Sequence, residues 1–162
     1  MQVTIASPPT NSANIVYSYY FDVQGGTVDS VLTNMKITTY ASSQAIMVFA
    51  KRGTGKDSEG TPCDWELVAE TAVQSTGYWK AIYPNWTDGF KPVELFAGET
   101  ISLHVTSTGR LLGKYSGSGS LKYNTAFMTT DSTHTLPGTK LFHGSYGKTG
   151  MFKHYPSYYS AR

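Results

Sequence analysis

The residues best suited to binding chemistry are concentrated between Tyr78 and Phe90, where the sequence reads YWKAIYPNWTDGF. Aromatic rings stack on the C–H surfaces of sugars and on partner side chains, while neighbouring amides and carboxylates form directional hydrogen bonds with hydroxyl groups. We therefore predict that this segment forms a ligand-binding surface. The predicted contact residues are Tyr78, Trp79, Tyr83, Asn85, Trp86 and Asp88.

The same rings have an alternative role, because they could close one end of the fold as a small satellite core. Exposed aromatic rings beside Asn and Asp favour sugar binding, whereas buried rings favour packing. Solvent exposure therefore decides between the two roles. Asn85-Trp86-Thr87 is in addition an acceptor sequon for N-linked glycosylation, if the chain enters a secretory pathway.

The other reactive side chains do not form a catalytic, metal-binding or nucleotide-binding motif. Gly53–Ser58 follows an apolar run, as a phosphate-binding loop would, but Ala50 stands where that motif requires Gly and Asp57 where it requires Ser or Thr. The four histidines lack the short spacings that place two imidazoles on one metal ion. We predict no catalytic residues, no metal ligands and no cofactor.

Charge and composition argue against nucleic acid and the membrane interior as partners. A net charge of +2, with 15% charged residues, gives no strong field for nucleic acid. No apolar run approaches the roughly 18 residues of a membrane span. Residues 1–12 lack the charged and apolar regions of a signal peptide, so the chain is either cytosolic or a secreted protein whose signal has been removed.

The single cysteine, Cys63, excludes an intrachain disulfide and leaves an inert thiol or an interchain bridge.

Alternation with period two is the main secondary-structure signal. Every second residue of Ile101–Thr106 is apolar, which is typical of a strand with one buried face. His104 lies on the polar side of that strand, where we expect it to face solvent or to be hydrogen-bonded. Ala45–Ala50 is apolar on both sides and predicts a central, covered strand. Similar alternation occurs in Ile15–Val23, Val31–Ile37, Trp65–Val73 and Leu121–Phe127.

About eight strands separated by Gly, Ser, Pro and Asp turns predict one all-β domain over residues 1–162, an antiparallel β-sandwich of the jelly-roll kind with little or no helix. A closed eight-stranded barrel around a ligand cavity is the rival topology. We expect a flexible N-terminal lead over residues 1–13 and three long loops at 52–64, 74–90 and 113–120. The predicted buried residues include Phe21, Met47, Phe49, Leu67, Leu103 and Val105.

The C-terminal segment, residues 148–162, is rich in aromatic residues where a free tail would be polar. Apolar rings in water mark a contact surface, so the segment is expected to pack on its own domain or on a neighbouring copy. The second arrangement would produce a homo-oligomer through Tyr155, Tyr158 and Tyr159.

Several of these elements resemble β-sandwich modules of secreted or cell-surface proteins of diatoms and related algae. The resemblance implies an extracellular, non-catalytic module, and it transfers no functional residues. The matching pieces are Tyr19–Val23, Met47–Gly53, Trp65–Ala69, Pro92–Thr106 and Leu141–Gly144.

Three function hypotheses follow. The first is a non-catalytic extracellular or cell-surface interaction module that binds glycan or matrix through the aromatic loop. The second is a self-assembling structural subunit of a shell, filament or capsid, in which aromatic loops and the C-terminal segment form the contacts between copies. The third is a carbohydrate-active enzyme that uses carboxylate or tyrosine chemistry on a jelly roll.

Overall fold

The computed structural model describes residues 2–6, 13–40, 43–55, 58, 61–74, 78–82, 84–114, 128–130, 134–135 and 140–147. Apart from a single 3₁₀ turn at Pro62–Asp64, the regular structure in this part of the chain is β-strand. The strands are β1 Gln2–Ala6, β2 Ala13–Gln24, β3 Ser30–Tyr40, β4 Gln44–Arg52, β5 Glu66–Val73, β6 Tyr78–Ile82, β7 Val93–Leu95, β8 Thr100–Lys114, β9 Met128–Thr130, β10 His134–Thr135 and β11 Lys140–Gly147.

The prediction of an all-β chain is confirmed, although the described residues contain eleven strands rather than about eight. β7, β9 and β10 have only two or three residues each, too few to give an alternating pattern. β6 was also missed, because it lies inside the segment 74–90 that was predicted to be a loop. The predicted strand Leu121–Phe127 and most of the predicted loop 113–120 lie outside the described residues. β1 lies in the predicted flexible lead, but Gln2–Ala6 pairs in parallel with β3. Residues 148–162, with Tyr155, Tyr158 and Tyr159, lie outside the described residues.

β8 is the central strand of the sheet. One of its edges pairs with β2, and the other pairs first with β4, over Ile101–Ser107, and then with the end of β3 at Arg110 and Leu111. β11 extends the sheet beyond β2, and β5 extends it beyond β4. β3 continues into the rest of the structure by pairing with β1, β6 and β7. The described strand order ends at β10 and β11, so these strands do not form a closed sheet.

One cluster of apolar side chains forms the core. It joins one face of β2, β4 and β8 to residues of β3, β5 and β7, including Leu32, Met35 and Leu95. Phe21, Leu103 and Val105 are buried as predicted, whereas Met47 and Phe49, on the opposite face of the sheet, are only half-buried. The core is therefore formed mainly from alternate residues of long strands, as period-two reasoning requires.

Leu67 was predicted to be buried and is instead 42% exposed. The cause is a β-bulge: Val48 pairs with Ala69 and Phe49 with Leu67, so that Val68 is an extra residue on β5. A bulge shifts the alternation by one position. As a result Val68 and Ala69 are both buried, and Leu67 faces solvent.

The opposite face of the sheet is polar but also buried. His104 does not face solvent: it is fully buried and stacks on Tyr20 with ring centroids 4.0 Å apart. The connection after β4 covers part of this face, because Asp22 accepts hydrogen bonds from the Thr54 hydroxyl (2.6 Å) and the Gly55 N–H (3.0 Å). A Cβ on Gly55 would overlap Ser102, so only glycine allows this close approach.

Candidate functional site

The central part of the predicted binding loop is the segment Pro84–Lys91, here called the Trp86 segment. Trp86 is only 8% exposed and belongs to the core cluster. Its ring packs edge-on against Phe90 with centroids 5.6 Å apart. The indole Nε1 donates a hydrogen bond of 2.9 Å to Asn34 Oδ1 on β3. Both the apolar ring and its one polar group therefore have partners inside the protein.

The backbone of the Trp86 segment is fastened along the outer edge of β5. Thr87 N–H donates to the Glu70 carbonyl (2.9 Å) and Lys91 N–H to the Val68 carbonyl (2.8 Å). The Thr71 hydroxyl donates to the Asn85 carbonyl (2.6 Å), and the Lys91 ammonium pairs with the Glu66 carboxylate. Because an uncovered edge strand presents free backbone groups, this segment caps the edge of the sheet.

Of the six predicted ligand contacts, Trp86 is corrected by the structure: a ring packed in the core offers no face to a sugar. Asn85 and Asp88 are exposed on the same segment. Tyr78 and Trp79 lie on β6, which pairs with the end of β3, but their side chains lie outside the described residues, as does all of Tyr83.

A second cluster of turns, here called the turn end, joins the β2–β3 connection Gly25–Asp29 to the β7–β8 connection Phe96–Glu99. Gly25 N–H donates to the Glu99 carbonyl (2.7 Å), and Gly98 N–H donates to the Gly26 carbonyl (3.1 Å). Asp29 Oδ1 accepts a hydrogen bond of 2.8 Å from Ala97 N–H. The two connections therefore hold one another in place.

Two glycines make this arrangement possible. Gly98 has a φ of 74°, in the left-handed region that other residues adopt only with strain. Gly25 lies so close to the neighbouring connection that a Cβ would overlap the carbonyl oxygen of Phe96. The turn end is consequently a rigid surface rather than a pair of independent turns.

The turn end exposes apolar and charged side chains together. Phe96 is 40% exposed, and Val28, on the facing connection, is also exposed. The guanidinium of Arg52 lies over the Phe96 ring, with its Cζ 5.2 Å from the centroid. Arg52 is held there by Glu94 and Glu99, at 3.6 and 3.4 Å, and by a hydrogen bond of 2.7 Å to the Glu94 carbonyl.

The ion pairs of Arg52 with Glu94 and Glu99 hold these charged side chains beside the Phe96 ring and add little to the stability of the fold. The side chains of Arg52, Glu94 and Glu99 are all more than half exposed, at 52%, 62% and 52%. Exposed ion pairs typically contribute only about 0–1 kcal/mol. Together they fix one donor group and two acceptor groups beside an exposed aromatic ring.

The sequence contained a weak signal for this surface. Leu95 and Phe96 are adjacent apolar residues, of which an alternating pattern allows only one to enter the core. Leu95 is buried and Phe96 is not. Alternation alone does not show which residue faces outward, because the answer depends on the register of β7 with β3.

Comparisons of the chain with models of known protein families and with curated proteins give no match. In the described part of the chain, no helix is long and apolar enough to cross a membrane. The same residues include no group of three or more His, Cys, Asp and Glu side chains that could hold a metal ion. Cys63 is an exposed free thiol.

Proposed function

We propose that the chain is a non-catalytic extracellular interaction module that binds glycan or matrix through the turn end. Its scaffold would be a β-sandwich of the jelly-roll kind, in which the layer containing β3 and β7 covers the apolar face of β2, β4 and β8. The single core cluster shared by these strands supports that arrangement. The resemblance to secreted and cell-surface modules supports an extracellular location.

The exposure of Phe96 on a rigid base is the observation that carries the proposal. Exposed aromatic rings beside directional polar groups favour sugar binding, and buried rings favour packing. Trp86 fails this criterion, whereas Phe96 meets it with Arg52, Glu94 and Glu99 close by. Interlocked turns also lower the entropic cost of ordering the surface when ligand binds.

The charges of the turn end favour a neutral ligand. Asp29, Glu94 and Glu99 outnumber the single guanidinium of Arg52, so an acidic glycan would meet net repulsion. Carboxylates accept hydrogen bonds from sugar hydroxyls, and the guanidinium donates to them. Tyr78, Trp79, Tyr83, Asn85 and Asp88 remain predicted contacts of a second area.

An array of neutral and acidic glycans and matrix polysaccharides tests the proposal on the full chain. We expect binding to neutral members and a loss of about tenfold or more in affinity for Phe96→Ala, since a stacked ring is a typical binding hot spot. Leu67→Ala is the matched control, because Leu67 is equally exposed but lies on β5. No binding by the parent chain, or unchanged affinity in Phe96→Ala, would reject the proposal.

Self-assembly is the second candidate, because Val28 and Phe96 are exposed apolar side chains that a second copy could cover. In that case light scattering should show concentration-dependent oligomers that Phe96→Ala dissociates. A glycan-binding module should instead remain a monomer in both forms. The contacts predicted for Tyr155, Tyr158 and Tyr159 are tested separately by deleting residues 155–162.

A further inference from the structure

We propose that Asn85 is a site of N-linked glycosylation. The proposal rests on the proposed extracellular function, because the modification requires passage through a secretory pathway. The amide nitrogen of Asn85 would form a bond to C1 of the first sugar of a lipid-linked oligosaccharide. The bond between that carbon and the lipid pyrophosphate would break, the pyrophosphate would leave with its electron pair, and the amide would lose one proton.

Asn85-Trp86-Thr87 is the only Asn-x-Ser/Thr sequon among the 162 residues. A sequon that arises by chance can fall at a buried position, where a bulky solvated glycan cannot be accommodated. The structure provides a separate test of this one. Asn85 and Thr87 are both exposed, whereas Trp86 between them is buried.

The hydrogen bonds that hold the Trp86 segment on β5 are compatible with a glycan on Asn85. Its hydrogen bonds to β5 use the carbonyl of Asn85 and the N–H of Thr87, which belong to the backbone. The inward Trp86 ring holds both neighbours at the surface. Attachment at the side-chain amide would therefore leave every one of these bonds intact.

The position also gives the glycan a physical role. The Trp86 segment bonds to β5 at the carbonyls of Val68 and Glu70, and Leu67 is exposed on the same strand. The edge of β5 is therefore already covered, and a glycan on Asn85 would lie outside that cover. A large hydrated group there would sterically oppose the approach of a second copy to this side of the sheet, and it would not occupy the turn end.

The test is expression of the full chain behind a secretion signal in a eukaryotic host, followed by intact-mass measurement before and after peptide:N-glycosidase treatment. We expect the mass of one glycan, its removal by the enzyme, and conversion of Asn85 to Asp. Asn85→Gln and Thr87→Ala should both abolish it, whereas Thr87→Ser keeps the sequon and should retain it. Chain retained inside the cell is isolated from the microsomal fraction and measured in the same way.

A folded parent chain of unmodified mass in both fractions would overturn the proposal. So would a glycan that persists in Asn85→Gln. Glycan binding by the turn end is measured on unmodified chain, so the failure of one proposal does not imply the failure of the other. Thr87→Ala, which removes the sequon without changing a predicted ligand contact, should bind the array as the parent does.

Discussion

The Trp86 segment and the turn end each place a large aromatic residue among polar neighbours in a connection between strands, yet Trp86 packs into the core and Phe96 faces solvent. The amino-acid composition of the two regions does not show which ring is buried. The residues that each ring contacts in the fold do show it. An aromatic residue in a loop is therefore informative about function only when its neighbours across the sheets are known.

Two physical differences account for the opposite orientations. Trp86 carries a polar N–H that donates to the part-buried side chain of Asn34, and its segment lies along the edge of β5, where the Val68 and Glu70 carbonyls accept hydrogen bonds from its backbone. Phe96 has no such polar group, and Leu95 already occupies the adjacent core position. The Arg52 guanidinium lies over one face of the ring, which remains 40% exposed.

Trp86→Ala should have the largest effect of the changes considered. Removing a buried Trp ring leaves a cavity in the core and should lower the free energy of unfolding by about 3–5 kcal/mol. Chemical denaturation monitored by circular dichroism measures this change. Trp86→Phe is the matched control: it keeps most of the ring but loses the bond to Asn34, and a loss of about 1–2 kcal/mol is expected.

The two Trp86 variants also test the assignment of the ring to the core. If Trp86→Ala retained the stability of the parent chain while losing affinity for a glycan, the ring would be a ligand contact and the Trp86 segment would be the binding site. Parent-like binding of Trp86→Phe, with reduced stability, would agree with the packed ring.

The long strands were predictable because their physics is local. Alternation of apolar and polar residues in β2 and β8 depends only on the pleat of the strand, and Phe21, Leu103 and Val105 are buried accordingly. The error at Leu67 has a different origin. The bulge at Val68 is set by pairing with β4, and no glycine marks it in the sequence.

The candidate site was harder to predict because exposure depends on distant residues. The acceptor for Trp86 is Asn34, 52 positions earlier in the chain. His104 is buried for a similar reason, since rings of Tyr20 and Trp65 pack around it on the covered polar face. Residue types thus indicated which chemistry was available, and only the topology indicated where it is exposed.

Two glycines provide a matched pair of intermediate effect. Gly89 in the Trp86 segment and Gly98 in the turn end both have positive φ, 78° and 74°, and both have room for a Cβ. Each change to Ala should therefore cost about the same, roughly 1–2 kcal/mol of backbone strain. Thermal denaturation should show similar losses, but only Gly98→Ala should weaken ligand binding. Equal binding by both variants would contradict the assignment of the site to the turn end.

Phe96→Ala should have the smallest effect on stability, which makes it the most sensitive probe of the contrast between the two regions. The ring is 40% exposed, and its contact with the Arg52 guanidinium is of a kind that contributes about 0.5–1 kcal/mol at exposed sites. A loss of about 1 kcal/mol is expected by chemical denaturation, several-fold less than for Trp86→Ala. If Phe96→Ala and Trp86→Ala lowered the free energy of unfolding equally, Phe96 would belong to the core like Trp86, and its exposure would not indicate a binding surface. A small stability loss that accompanies a large loss of ligand affinity would instead show that the two aromatic residues, alike in sequence context, perform different roles.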